Sequence, residues 1–272
     1  YDDWTIAQFA NSIGKKNIAE EFYNRAENWK NLFNEKTGFV GAKYSNGNWK
    51  TPFNALHTAN EGFIEGNAWN YSLYVPQDVN GLIQKMGGNK RFCSHLDSLF
   101  TMYLPDEFFA ETEDVTREGI MGCYVHGNEP SHHVAYMYNW AGMPWKTQER
   151  IHQIIDTKYL NKTDGLCGND DCGQMSAWYI FSALGFYPVC PGSGEYAIGS
   201  PSVNEARIQL AKGKEFVIKA NNYSSKNIYI RSVRLNGKKW NNPFLPVSEI
   251  INGGEIIFEM GSKPNKKWGR LL

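Results

Sequence analysis

Near residue 190 the spacing of apolar residues changes period, and no other feature of the sequence restricts the fold as much. From Trp4 to about Gly185 they recur at helical spacing, in segments near 4–13, 16–33, 79–86, 90–103, 132–142, 146–159 and 172–184. After Pro188-Val189-Cys190-Pro191-Gly192 the period becomes two, through Glu215-Phe216-Val217-Ile218-Lys219, Asn227-Ile228-Tyr229-Ile230, Ser232-Val233-Arg234-Leu235 and Glu255-Ile256-Ile257-Phe258. Asn236-Gly237 supplies the two positive-φ positions of a type I′ hairpin turn. The expected architecture is mainly α with a C-terminal β module: a helical domain over 1–190 and a small antiparallel β-sheet domain over 191–272.

The helices alternate with connectors near 36–68, 104–131 and 160–171, rich in Gly, Asn, Asp, His and aromatic residues. Long irregular connectors in a compact domain usually carry function, so the chemistry is expected there. The chain opens on Tyr1-Asp2-Asp3-Trp4 as though inside a helical pattern, which suggests an excised fragment.

Charge bounds the partner. The 28 Lys and Arg balance the 28 Asp and Glu, so no global field exists to hold nucleic acid or an anionic membrane. No stretch approaches the roughly 20 apolar residues needed to span a bilayer. Nine Trp and fifteen Tyr suit stacking on the apolar faces of sugar rings, although an aromatic core accounts for most of them whatever the function. The five cysteines form no zinc or disulfide framework; at most, Cys167 and Cys172 pair.

Three clusters stand out: Phe63-Ile64-Glu65-Gly66-Asn67-Ala68-Trp69-Asn70-Tyr71, His126-Gly127-Asn128-Glu129-Pro130-Ser131-His132-His133, and Gly168-Asn169-Asp170-Asp171-Cys172-Gly173-Gln174. Glu65, between Phe63-Ile64 and Trp69, has the company that disfavours a charged carboxyl and suits a general acid. The plainer reading is a loop glutamate capping a backbone amide. Asp170 and Asp171 precede an expected helix from Cys172 to Leu184, whose N-terminal dipole favours an ionised carboxylate. Simple N-capping is the commoner role there. A protonated acid with a charged base is the pair that cleaves a glycosidic bond. Oxygen donors Asn128 and Glu129 favour a hard cation such as calcium, with zinc the rival through the histidines and cysteines.

Together, Glu65-Gly66-Asn67-Ala68-Trp69, Gly127-Asn128-Glu129-Pro130-Ser131-His132-His133 and Gly168 through Tyr179 closely resemble the glycoside hydrolase family 92 α-mannosidases. Tyr1-Asp2-Asp3-Trp4, Val75-Pro76-Gln77-Asp78-Val79 and Phe181 through Pro188 extend the likeness over essentially the whole chain. The resemblance implies part of an (α/α)6 toroid with associated β structure, and an exo-acting, inverting, calcium-dependent hydrolysis of terminal α-mannose on glycans, such as N-glycan trimming. It also implies a missing N-terminal β-sandwich domain of the same protein that contributes to the pocket, and an extracytoplasmic place: periplasmic, cell-surface or secreted.

By position, Glu65 resembles the family's general acid and Asp171 its general base, supported by Asp170 and Asn169; other members carry a carboxylate where Asn169 stands. Asn128 and Glu129 resemble calcium-loop residues, with Asn70 assisting where the family often has Gln. His126, Trp69 and Asn67 fall where substrate contacts are expected, His126 at a position that varies with linkage specificity. Inversion requires a carboxyl separation of roughly 6.5–9.5 Å, to admit water. The rival classes are a non-catalytic glycan-binding module with an aromatic cleft, and a helical toroid serving another metal-dependent reaction.

Overall fold

A computed structural model describes residues 1–58, 61–109 and 117–270. Close packing groups the described residues into two compact units, one of residues 1–58, 61–109 and 120–125 and the other of 117–119 and 126–270.

The first unit is helical. Helices α1 (Asp2–Ser12) and α2 (Lys16–Ala26) form a hairpin turned at Gly14, whose φ is +76°. Their buried positions are alanines, Ala7 and Ala10 on α1 and Ala19 and Ala26 on α2, so the two backbones approach closely. The larger apolar side chains of α1 point away, Phe9 being 66% exposed. Strands β1 (Phe33–Asn34) and β2 (Phe39–Val40) make a two-residue ladder. After them come a single turn, α3 (Ala68–Tyr71), then α4 (Val79–Lys85) and α5 (Asn89–Thr101), whose Phe92, Leu96, Leu99 and Phe100 recur at helical spacing and are buried. The small hairpin β3 (Ile120–Met121) and β4 (Tyr124–Val125) closes the unit. Its Gly122 packs so tightly on α5 that a Cβ would lie 2.4 Å from the Leu99 carbonyl.

The second unit joins two helices to the sheets. In α6 (Pro144–Lys158), Thr147, Ile151, Ile154 and Ile155 face inward. The helix α7 (Gln174–Leu184) stops at Gly185, which has φ +96° and donates its N–H to the Phe181 and Ser182 carbonyls. Strands β5 (Phe186–Tyr187) and β6 (Glu195–Ile198) follow. Next come β7 (Glu205–Gln209), β8 (Glu215–Asn221), β9 (Tyr229–Leu235), β10 (Lys238–Trp240), β11 (Phe244–Pro246), a short α8 (Val247–Ile251) and β12 (Gly254–Gly261). The five-stranded sheet runs β10-β9-β12-β8-β7 and the three-stranded one β11-β6-β5.

Alternate residues of the larger sheet, Phe216, Ile218, Ile230, Val233, Ile256 and Phe258, form one core with Phe186, Leu245 and Trp268. Each such aromatic or branched side chain contributes about 1.5–3 kcal/mol on burial. Asn236 and Gly237 have φ of +49° and +77°, so the β9–β10 turn forms as the dipeptide requires.

Three expectations need correction. The sheet is mixed, because β12 lies parallel to β8, Gly254 opposite Phe216, and antiparallel to β9. The segment near 132–142 forms tight 3-10 turns over Val134–Asn139 instead of an α-helix. All six of those residues are buried, and packing on every side outweighs the modest helix propensity of Val, Tyr and Asn. Likewise 27–31 is a 3-10 turn beyond the end of α2, so no single helix runs from 16 to 33.

Candidate active site

The first unit carries Glu65. Its turn bends back through Gly62 and Gly66, with φ of +89° and +60°. A Cβ on Gly66 would meet the Asn70 side-chain oxygen at 3.0 Å, so glycine meets both a backbone and a packing demand there. Helix α3 follows behind a reciprocal cap. The Asn67 Oδ1 accepts from the Trp69 and Asn70 amides, at 3.0 and 3.3 Å, while the Asn70 Oδ1 accepts from the Asn67 amide at 3.2 Å. The Asn70 amide nitrogen donates to the Cys123 carbonyl at 2.8 Å, which ties α3 to the β3–β4 hairpin.

This tie aims Tyr71 at Glu65. The phenol donates to the half-buried carboxylate at 3.2 Å, and burial, then the nearby carboxylate, raises the tyrosine's pKa so that it stays a donor. The apolar company expected for Glu65 is distributed otherwise. Phe63 stacks on Tyr71 with centroids 5.4 Å apart, Trp69 stacks on His95 at 4.3 Å, and Ile64 is 93% exposed. Asn67 and Asn70 are buried, their side chains engaged in the cap.

The second unit brings the other two clusters together through glycine. A Cβ on Gly168 would fall 2.5 Å from the Gly127 carbonyl oxygen and 2.6 Å from its Cα, so the 126–133 and 167–173 loops touch backbone to backbone. In the second of these loops Asp171, Cys172 and Gly173 are all left-handed, with φ of +45°, +57° and +94°. That run delays α7 to Gln174, two residues later than its apolar spacing suggests. It also divides the two aspartates. Asp170 accepts from the Ser176 amide at 2.9 Å and from its hydroxyl at 3.1 Å, so Asp170 restrains the first turn of the helix. Asp171 is exposed. A left-handed conformation costs a non-glycine residue about 1–2 kcal/mol, least for Asp and Asn, and such strain gathers at functional positions.

Below this turn lies a buried polar relay. The Tyr159 hydroxyl donates to the Met175 carbonyl at 3.0 Å, which leaves it to accept from the His126 Nε2–H at 2.8 Å. The His132 Nε2–H donates to the His126 carbonyl at 2.9 Å while its Nδ1 accepts from Gln174 at 3.3 Å. Trp178 donates to the His132 carbonyl at 2.9 Å. Burial holds His132 down to about 4, opposed in part by its bond to the His126 carbonyl, with Asp171 a smaller opposing charge. His126 is 0% exposed and lies well below the ordinary imidazole range for the same reason, so both rings are neutral near pH 7.

The donor chemistry separates the two metals considered. Both nitrogens of His132 are used within the protein, and all five cysteines are free, Cys167 and Cys172 included, so the suggested disulfide does not form. Among the described residues no three His, Cys, Asp or Glu side chains gather at one point. Asn128, in extended conformation, and Glu129, opening a 3-10 turn, are half-buried oxygen donors beside Gly127, a set that fits a hard cation. Tyr71, Ser176, Tyr159 and Gln174 complete these arrangements, although the sequence assigned none of them a role. The Ser176 spacing from Asp170 was a readable helix-start signal, whereas the tyrosine contacts cross between elements.

Known proteins locate the whole. The profile of the glycosyl hydrolase family 92 catalytic domain matches residues 1–262. A family 92 α-mannosidase of Bacteroides thetaiotaomicron, solved in complex with mannoimidazole, superposes with TM-score 0.94 at 41% identity, over 100% of this chain and 36% of that one. A family 92 inverting mannosidase from the same species gives TM-score 0.88 at 39% identity, over 100% of this chain and 37% of that one. An uncharacterized secreted glycosidase of Arthroderma benhamiae is 29% identical, over 99% of this chain and 35% of its own length. The chain thus spans little more than a third of the relatives it matches, and no helix among the described residues is long and apolar enough to cross a membrane. With a profile matched over nearly its full length and solved members superposing on all of it, this chain belongs to glycosyl hydrolase family 92 and carries part of that family's catalytic domain.

Proposed function

We propose that the protein containing this chain hydrolyses terminal, non-reducing α-linked mannose on glycans, outside the cytoplasm, with inversion at the anomeric carbon. The observation that carries this reading is the superposition of the whole chain on 36% of a family 92 α-mannosidase, taken with the contrast at Asp170-Asp171, where one carboxylate is hydrogen-bonded in place and its neighbour is exposed.

In this reading Glu65, oriented by the Tyr71 hydroxyl, protonates the departing glycosidic oxygen. Asp171 takes the proton of the attacking water, and Asp170, fixed on Ser176, and Asn169 set the geometry of that turn. Asn128 and Glu129, with Asn70 assisting, would hold calcium, which when bound supplies coordination to neighbouring sugar hydroxyls. Trp69, stacked on His95, and Asn67, engaged in the α3 cap, would act on the sugar through the shape of the Glu65 turn, and the buried His126 through the shape of its loop. The helices up to about residue 190 form part of an (α/α)6 toroid, 191–272 form the β module, and an N-terminal β-sandwich completes the pocket.

The test is hydrolysis of a nitrophenyl α-mannoside by the full-length protein, with the first-formed anomer followed by NMR. Turnover that yields β-mannose first and is reversibly suppressed by a calcium chelator supports the reading. Glycan binding without turnover would establish the non-catalytic module instead, and first-formed α-mannose would overturn inversion.

A further inference from the structure

The balanced charge of the whole chain conceals an uneven distribution. Residues 226–272 hold nine Lys and Arg against three Glu, which leaves a surplus of six positive charges there and of six negative charges on residues 1–225. The three acids are engaged: Glu255 pairs with Lys219 at 3.3 Å, Glu259 accepts from Asn221, and Glu249 accepts from Asn236.

The surplus cations collect on one edge of the larger sheet. Register places Lys239 directly opposite Arg234 across the β9–β10 hairpin. Beyond β10, the edge of β9 is covered by the segment after β12: Asn265 donates to the Arg231 carbonyl at 2.7 Å, Arg231 donates to the Lys263 carbonyl at 3.3 Å, and Trp268 donates to the Trp240 carbonyl at 3.0 Å. These bonds place Lys263, Lys266 and Lys267 on the same sheet edge as Lys238 and Lys239, which leave β10 on opposite faces, and all five are exposed. The edge follows β9 from residue 231 to 235, roughly 13 Å at strand spacing. Among the described residues none of these lysines, nor Arg231 or Arg234, has a carboxylate within ion-pair distance. At one end the Lys266 ammonium stands 5.3 Å from the ring centre of half-buried Trp145, which brings an aromatic face beside the charges.

We propose that this edge is a docking surface for an anionic glycan, a sugar polymer bearing sulfate, phosphate or uronate groups, so that the enzyme is held on the material whose mannose it removes. The inference rests on the glycan-directed activity proposed above. The plainer account of lysine on an edge strand is protection against strand pairing between molecules. That account requires neither the continuation of positive charge through 263–267 nor an aromatic ring beside it. A linear run of unpaired cations also suits a chain polymer better than a flat lipid surface.

The experiment measures binding of the full-length protein to dextran sulfate, with neutral dextran, phosphatidylglycerol vesicles and duplex DNA as comparisons, over a salt series. The expected result is binding to dextran sulfate that weakens steeply with salt, exceeds that to DNA and vesicles, and falls at least tenfold when Lys238, Lys239, Lys263 and Lys267 are all changed to Glu. Nitrophenyl mannoside hydrolysis by that variant should be unchanged, which separates this proposal from the catalytic one. No binding above neutral dextran would leave the lysines as edge protection and overturn the proposal. Equal or tighter binding to DNA or vesicles would overturn its assignment to a glycan, and unaltered binding by the folded four-site variant would overturn its placement on this edge.

Discussion

The two carboxylate-bearing turns place their acids by opposite means. Around Glu65 the sharp backbone angles fall on Gly62 and Gly66, and the carboxylate is oriented by a donor, Tyr71, from a helix of four residues. Around Asp171 two of three successive left-handed residues are not glycine, and the turn lies between the anchored Asp170 and the glycine contact with the 126–133 loop. One turn is relaxed in its backbone and depends on a hydrogen bond; the other is strained and depends on what surrounds it. In the proposed mechanism that contrast suits an acid that must release and regain a proton and a base that must remain aimed.

The sharpest way to break the contrast is to remove each carboxyl from the full-length protein. Glu65→Gln and Asp171→Asn are each expected to slow hydrolysis of a mannosyl disaccharide by about 10²–10⁴-fold. With a dinitrophenyl leaving group, which departs without protonation, Glu65→Gln should regain most of its rate while Asp171→Asn does not. Equal losses on both substrates would mean that the roles of acid and base are misassigned.

Acid should destabilise the second unit, because the relay beneath Asp171 depends on neutral His132. Its folded pKa, about 4, lies below the unfolded value near 6.5, so the unfolded chain binds the extra proton first. The resulting stability is complete above about pH 6.5 and is lost as pH falls through about 4, on the order of 3 kcal/mol for a shift of this size. Urea midpoints measured between pH 7 and 4 should fall for the native chain and fall less for His132→Gln.

Two smaller effects sharpen the comparison within the aspartate pair. Asp170→Ala removes the acceptor for the Ser176 amide and hydroxyl and should cost about 1–2 kcal/mol by thermal or urea unfolding. Asp171→Gly should do the reverse, raising stability by about 1 kcal/mol through relief of the left-handed conformation, while activity is lost. Destabilisation by Asp171→Gly would show that this residue is structural rather than strained for function.

Much was legible before any coordinates. The period change near 190, the Asn236-Gly237 turn and the stop of α7 at Gly185 follow from local physics, since each depends on residues adjacent in the chain. The three clusters were legible for the same reason, as was the value of Asp beside a helix start. Which aspartate caps was not: apolar spacing extends the helix to Cys172, whereas a left-handed run over 171–173, in the loop that meets Gly127 at Gly168, displaces its start. The donor to Glu65 was also hidden, because Tyr71 reaches it only through a cap tied to Cys123, 53 residues from Asn70.

By itself, then, the sequence determined element type, turn chemistry and the inventory of reactive groups, all of which are set by side chains a few residues apart. Tertiary structure alone decided that β12 runs parallel to β8, that 134–139 is wound as 3-10 turns, that His126 and His132 are buried neutral, and that five lysines line one sheet edge. The physical reason is common to all four: burial and strand neighbours are properties of what the chain meets after it has travelled far from itself, and no local pattern encodes that encounter.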